Sequence, residues 1–133
     1  MTLSKMRSIA ILALILAPTF TLAHSMEPGS RVEQALTPVH QKIYTLSNDF
    51  DIPAAFKIEV FNEDFTPTDG WDVAKKKYKL LPKSQTNVAI TFEAQTQRKV
   101  IVCSILSEIG KNYEKALTTT RVCSRLTINS FTQ

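Results

Sequence analysis

Apolar residues between positions 31 and 47 recur every three or four residues. They are Val32, Leu36, Val39, Ile43 and Leu46. This spacing places them on one face of an α-helix. Ser30 and Glu33 add the S-x-x-E pattern of a capping box, in which both side chains bond free amides at a helix start. The pattern therefore predicts a helix from about Arg31 to Ser47, which Pro38 kinks or divides because proline removes a helical hydrogen bond.

Four later segments alternate apolar and polar residues with a period of two, which is typical of β-strands with one buried face. They are residues 55–61, 87–94, 98–106 and 118–129. The third is almost continuously apolar, as expected of a central strand, whereas residues 71–81 fit a strand or a helix. The chain is therefore predicted to have an α+β fold, with the N-terminal helix packed on a four- to five-stranded antiparallel sheet.

The first 23 residues have the order of a secretory signal peptide. Lys5 and Arg7 precede an apolar run at 9–17, and small residues end the segment at Ala23. The apolar stretch is too short to span a bilayer as a helix, which takes about 20 residues. We therefore expect a signal peptide at residues 1–23, a single small domain at 24–133 without a membrane span, and a periplasmic or secreted location.

The site of cleavage has two candidates. Small residues at positions one and three before the bond allow a cut after Ala23, which leaves His24 first, or after Ser25, which leaves Met26 first. We favour Ala23.

Charge and composition narrow the function. The chain has 16 basic and 12 acidic side chains, and removal of residues 1–23 takes away Lys5 and Arg7 but no acid, leaving a net charge of +2. This small charge does not favour binding to nucleic acid. The three glycines, Gly29, Gly70 and Gly110, are far apart, whereas loops that wrap phosphates need clustered glycines. We find no G-x-S-x-G motif and no other convincing catalytic set.

The two cysteines, Cys103 and Cys123, are predicted to form a disulfide, because exported proteins meet oxidising conditions. A bridge over this separation contributes about 3 kcal/mol by the chain-entropy estimate, and it removes both thiols from catalysis. Cys103 shares a strand face with isoleucines and Cys123 shares one with arginines, so either a bulge corrects the register or the bridge lies at the rim of the sheet.

The two histidines suggest an alternative function. A cut after Ala23 would give His24 a free α-amine, and this amine with the imidazoles of His24 and His40 could bind copper as a histidine brace. The simpler interpretation assigns the protein no cofactor and no metal.

The strongest candidates for partner contact surround one loop. Trp71 lies in a loop with the sequence DGWD, and tryptophan is enriched at binding hot spots, although this one could equally cap the core. A basic run follows it, and two arginines lie four residues apart on a later strand. These residues are Lys75, Lys76, Lys77, Tyr78, Arg121 and Arg125. The lysines could contact an anionic partner or protect a strand edge from aggregation.

The sequence thus favours a small exported binding or inhibitor module without catalytic activity, which recognises a protein or an anionic envelope component through the Trp71 loop and the lysine run. One alternative is a copper-binding protein that uses His24 and His40. The other is a structural subunit of a surface assembly, in which an edge strand is donated between copies.

Overall fold

The computed structural model describes residues 24–131, and these residues form ten β-strands and no helix. The predicted signal peptide lies outside the described residues. The described part of the chain also contains no helix of the length and hydropathy that crossing a membrane requires. The strands are β1 (His24–Glu27), β2 (Arg31–Gln34), β3 (Val39–Asn48), β4 (Ala54–Asn62), β5 (Trp71–Val73), β6 (Lys77–Leu80), β7 (Gln85–Glu93), β8 (Arg98–Ile109), β9 (Glu114–Lys115) and β10 (Arg121–Asn129).

The strands form two sheets that face each other as a sandwich. The four-stranded sheet has the order β1-β3-β7-β5, and the six-stranded sheet has the order β2-β10-β8-β4-β6, with β9 beside β8. All pairings are antiparallel except that of β2 with β10, which is parallel. The chain passes from the first sheet to the second between β1 and β2, at a cis bond between Glu27 and Pro28.

The core lies between the sheets and is filled by alternate residues of the long strands. Its largest fully buried side chains include Tyr44, Leu46, Phe56, Val88, Ile90, Phe92, Val102, Leu126 and Ile128. The four segments that alternate in the sequence correspond to β4, β7, β8 and β10. A strand that buries every second side chain is what such alternation predicts.

The predicted α+β fold is wrong, because residues 31–47 form β2 and most of β3 instead of a helix. Four of the five residues on the predicted helix face are exposed: Val32 at 71%, Leu36 at 87%, Val39 at 56% and Ile43 at 54%. The buried residues of β3 are Tyr44, Leu46 and Asn48, which alternate. The apolar residues of this segment have helical spacing, but the burial of its side chains has a period of two. Ser30 caps no helix, and its hydroxyl accepts a hydrogen bond from the Arg125 backbone amide.

The predicted disulfide between Cys103 and Cys123 is confirmed. The two residues lie directly opposite each other on β8 and β10, with 4.1 Å between their Cα atoms. No bulge is needed at this point, since Ile101 pairs with Arg125 and Ile105 with Arg121. Paired residues share a face of a sheet, so the isoleucines and arginines lie together on the outer face.

Candidate functional site

A polar cluster closes one lateral side of the sandwich, where β2 faces β3. Glu33 on β2 accepts hydrogen bonds from the His40 ring at 2.8 Å and from the Lys42 ammonium. Burial raises the pKa of Glu33, but the bonds from Lys42 and His40 outweigh burial and hold the pKa below its ordinary value. Charged residues that point inward at an edge discourage pairing with other chains, so this side is sealed.

The opposite side, between β4 and β5, leaves a short stretch of backbone uncovered. β6 pairs with β4 only along Ala54–Lys57. Beyond the stretch, the chain folds back so that Phe61 bridges Pro67 and the Asn62 amide donates to the Thr66 carbonyl at 2.8 Å. Within the described part of the chain, no strand pairs with residues 58–60 on this side.

The direction of the uncovered backbone groups follows from strand geometry. The Asn62 N–H faces away from β8, toward the loop, and successive residues of a strand direct these groups to opposite sides. Ile58 and Val60 therefore direct their N–H and C=O groups to the open side.

The pairs that flank the stretch already use two of these groups. The register of Lys57 with Lys77 sets the Ile58 N–H against the Lys76 carbonyl, and the bridge of Phe61 to Pro67 sets the Val60 carbonyl against the Thr68 N–H. The edge therefore offers one donor, the Val60 N–H, and one acceptor, the Ile58 carbonyl.

A cavity of about 500 Å³ opens between this edge and β5. Its walls are mainly apolar. They include Ile58, Val60 and Phe61 from β4, Trp71 and Val73 from β5, and Pro67 from the loop between them. The loop between β5 and β6 contributes Lys76 at the rim. An apolar cavity beside unpaired backbone groups can hold a side chain of an extended segment whose main chain bonds the edge.

Trp71 is fixed by its neighbours. Its backbone pairs with Phe92 of β7, its half-buried ring packs against the core, and its indole N–H donates to the Thr68 carbonyl at 2.9 Å. The same side chain lines the cavity. Trp71 thus caps the core and also forms a wall of the open cavity, while its contact with a partner stays a prediction.

Arg98, at the start of β8, holds the loop that precedes Trp71. Its guanidinium donates to the carbonyls of Asp69 and Gly70 and to the Thr68 hydroxyl. Gly70 has a positive φ of 74°, and a Cβ there would lie 2.7 Å from an Arg98 nitrogen. Both residues position the cavity wall. Sequence reasoning missed Arg98 because its partners are mainly backbone groups 28 to 30 residues away, which leave no local pattern.

The lysine run lies beside the cavity, but its members differ. Lys75 and Lys76 are exposed, and Lys76 lines the cavity rim. Lys77 forms an ion pair with Glu108 on β8, and this bond holds the pKa of Glu108 below its ordinary value. Tyr78 points into the sandwich and is buried in the core.

The two arginines lie on β10, which is separated from β4 by β8. The Arg121 guanidinium lies over the rings of Phe61 and Phe65, at 5.7 and 5.5 Å from their centroids. Because Phe61 also lines the cavity, Arg121 supports that wall from outside. Arg125 lies opposite Ile101 of the neighbouring strand β8 and does not line the cavity.

The two histidines are not brought together. His24 is fully buried, with its Nε2 at 3.2 Å from the Ser104 carbonyl and its ring 4.7 Å from that of Phe56. Burial lowers its pKa. His24 pairs with Asn48, eight residues along β3 from His40, so the two lie roughly 26 Å apart at 3.3 Å per residue. Residues 24–131 contain no group of three His, Cys, Asp or Glu side chains that could hold a metal.

Comparison with known sequences finds no match: neither a family model nor a curated protein matches the chain.

Solved structures of the same fold do match. The E. coli chaperone DraB is 16% identical with a TM-score of 0.64, over 80% of this chain and 54% of that chain. The Salmonella enterica SafB chaperone, in complex with SafA pilin, is 14% identical with a TM-score of 0.64, over 80% of this chain and 54% of that chain. SSP-19, an MSP-domain protein like family member in Caenorhabditis elegans, is 14% identical with a TM-score of 0.62, over 80% of this chain and 99% of that chain.

At these identities the similarity is one of fold, a PapD-like β-sandwich. The chain spans about half the length of the chaperone chains that it matches.

Proposed function

We propose that the protein is a non-enzymatic protein-binding module that takes an extended segment of its partner at the open edge of β4. The observation that carries the proposal is the apolar cavity between β4 and β5, which lies beside the uncovered backbone groups of Ile58 and Val60. In such β-addition, main-chain hydrogen bonds give affinity and pockets for alternate side chains give specificity.

The contrast between the two lateral sides supports the assignment. Proteins blunt exposed strand edges with inward-pointing charges or with a covering element, and the Glu33 cluster provides such protection where β2 faces β3. The β4 edge instead has buried apolar side chains, Ile58 and Val60, at an open cavity. An edge left open in this way is suited to a partner.

The proteins that share the fold are also consistent with binding rather than catalysis. Two are chaperones, one of them solved in complex with a pilin, and a third is an MSP-domain protein. We extend from them to this chain only the general role of contacting another protein.

We place this activity outside the cytoplasm, in the periplasm or in secreted form. The disulfide fits an oxidising compartment. The favoured cut after Ala23 keeps the buried His24, whereas a cut after Ser25 would remove it. The exposed Lys75 and Lys76 add an attraction for an anionic region of the partner or of the envelope.

The two other hypotheses remain predictions. The separation of His24 and His40 does not favour a copper site. A subunit role in a surface assembly would require a strand donated between copies, whereas the ten described strands are all paired within the chain.

The test of the proposed function uses peptides selected from a displayed library of random sequences. Trp71 is the only tryptophan of the chain, so its fluorescence reports occupation of the cavity. We expect Val73→Thr, which places a hydroxyl in the cavity wall, to weaken binding about tenfold, because burial of an unpaired hydroxyl costs roughly 1–3 kcal/mol. Val32→Thr, at an exposed site on β2, is the matched control and should leave binding unchanged.

Backbone addition has its own readout. N-methylation of alternate peptide residues, those that face β4, should abolish binding, whereas methylation of the intervening residues should not. Equal affinity of the two valine variants would show that the cavity is not the site. Indifference to the position of the methyl group would rule out strand addition.

A further inference from the structure

The outward faces of the two sheets differ in charge. On the six-stranded sheet, the outward side chains of β2, β10, β8, β4 and β6 include six cations and two acids, Glu59 and Glu108, which gives a net charge of +4. The cations are Lys57, Lys77, Lys79, Lys99, Arg121 and Arg125. The outward side chains of β1, β3, β5 and β7 include no lysine or arginine but three acids, Glu27, Asp72 and Glu93. One face of the sandwich is therefore basic and the other acidic.

The basic face contains an unfavourable pairing. Lys57 lies directly opposite Lys77, and like charges in that position destabilise a sheet. Lys77 donates to Glu108 and lowers the pKa of this carboxylate, and the charges of Lys79 and Lys57 add to the effect. Within residues 24–131, none of the other five cations forms an ion pair. Positive charge is thus left over for an anionic partner.

The six cations are spread over two dimensions. From β6 to β10 there are three strand spacings, or about 14 Å at 4.8 Å each. Along the strands the cations extend from Lys99 to the level of Glu108, which lies beside Ala55 and Lys79, roughly 30 Å at 3.3 Å per residue. A linear polyanion would contact one row of this array, whereas a flat anionic surface contacts all of it.

An exposed aromatic side chain lies on the same face. The ring of Phe65 is 48% exposed, although the Arg121 guanidinium lies 5.5 Å from its centroid and the Phe61 ring 6.0 Å away. Its backbone has a positive φ of 63°, which is costly for a bulky residue and still leaves the ring half uncovered. An aromatic ring beside cations is suited to the boundary between lipid headgroups and acyl chains.

We propose that the outward face of the six-stranded sheet docks the protein on a bilayer that contains anionic lipids. Lipid phosphates would lie at the lysines and arginines, and Phe65 at the level of the headgroups. The acidic face of the other sheet would point away from the bilayer. This contact goes beyond the proposed function, because the cavity between β4 and β5 opens at a lateral side of the sandwich.

The experiment measures flotation of the exported protein with vesicles of phosphatidylcholine, alone or mixed with phosphatidylglycerol in equal parts. We expect flotation only with the mixed vesicles. The combined change Lys57→Gln, Lys99→Gln and Arg125→Gln should lower partitioning roughly a hundredfold, since each cation near an anionic surface contributes roughly fivefold. The matched control removes the same charge elsewhere, with Arg31→Gln, Lys75→Gln and Lys83→Gln, and should leave partitioning nearly unchanged.

The orientation has a separate readout. Phe65→Trp and Ile43→Trp each add a tryptophan at a similarly exposed position, 48% and 54%, but on opposite faces. Lipids with a spin label on the headgroup should quench the added emission of Phe65→Trp and not that of Ile43→Trp. Equal quenching of the two would overturn the proposed orientation.

Three other results would overturn the docking surface. They are absence of flotation with the mixed vesicles, equal losses in the two triple variants, and binding to polyglutamate but not to vesicles with the same dependence on Lys57, Lys99 and Arg125. The last result would assign the face to an acidic protein segment instead. Peptide binding at the cavity is measured without lipid, so the proposed function is tested independently of all three.

Discussion

At the scale of single residues, Gly70 shows how the cavity wall depends on one backbone conformation. Its φ of 74° is costly for any residue with a side chain, and a Cβ would lie 2.7 Å from an Arg98 nitrogen and 3.0 Å from a Glu93 oxygen. We expect Gly70→Ala to lower the free energy of unfolding by about 1–2 kcal/mol, measured by denaturant unfolding. Gly29→Ala, where a Cβ meets nothing within 4 Å, is the control. Similar losses in both variants would show that the positive φ and the close approach are not the cause.

His24 gives the fold a dependence on pH. Burial lowers its pKa from 6.5, although the Ser104 carbonyl and Asp49 partly oppose this. The unfolded chain therefore binds a proton near pH 6.5 that the folded chain does not, and stability falls as pH drops below that value. We expect the free energy of unfolding to decrease between pH 7.5 and 5.5, above the range in which the carboxylates titrate. His24→Gln, which keeps a donor for Ser104, should lose this decrease; a decrease that persists in the variant would assign it to another group.

At the scale of the elements, the sequence identified the strands that bury one face but not the connections between them. The alternation of residues 87–94 and 98–106 correctly predicted β7 and β8. Only residues 94–97 connect them, a length that is common in hairpins, yet the two strands belong to different sheets. Alternation with a period of two indicates that one face of a strand is buried. It does not indicate which neighbouring strand pairs with that strand's edge.

In residues 31–47 the type of element itself was predicted wrongly, since a helix was expected where strands form. Their apolar residues fit helical spacing, but the contacts that decide their structure are distant: β2 pairs with β10, and β3 pairs with β7. Long-range pairing of this kind overrides a local pattern, because the free energy comes from burial against strands that the local sequence does not contain. Tyr44 and Leu46 carried the correct signal within the same segment.

The disulfide joins the two elements β8 and β10, and its effect should be confined to stability. Its closed loop, with a sequence separation of 20, should contribute about 3 kcal/mol. We expect Cys103→Ala with Cys123→Ala to lower the free energy of unfolding by roughly that amount. Binding of cavity peptides at 25 °C should stay within twofold, because neither cysteine lines the cavity. A large loss of affinity with little loss of stability would contradict the expectation that the disulfide affects stability alone.

At the scale of the whole molecule, the candidate site could be predicted only in part. Trp71, Lys76 and Lys77, which the sequence proposed as partner contacts, all line the cavity because they are close along the chain. Their contact with a partner stays a prediction. The sequence missed Ile58 and Val60, since an uncovered edge is created by the early end of β6 and by the loop that returns to Pro67. That one lateral side of the sandwich is closed and the other is open can be recognised only when both sheets are assembled.

The parallel pairing of β2 with β10 has a mechanical consequence. These strands lie near the two ends of the described chain and run in the same direction. Tension that pulls those ends apart slides one strand along the other, so the hydrogen bonds of all four residue pairs bear the load together instead of opening in turn.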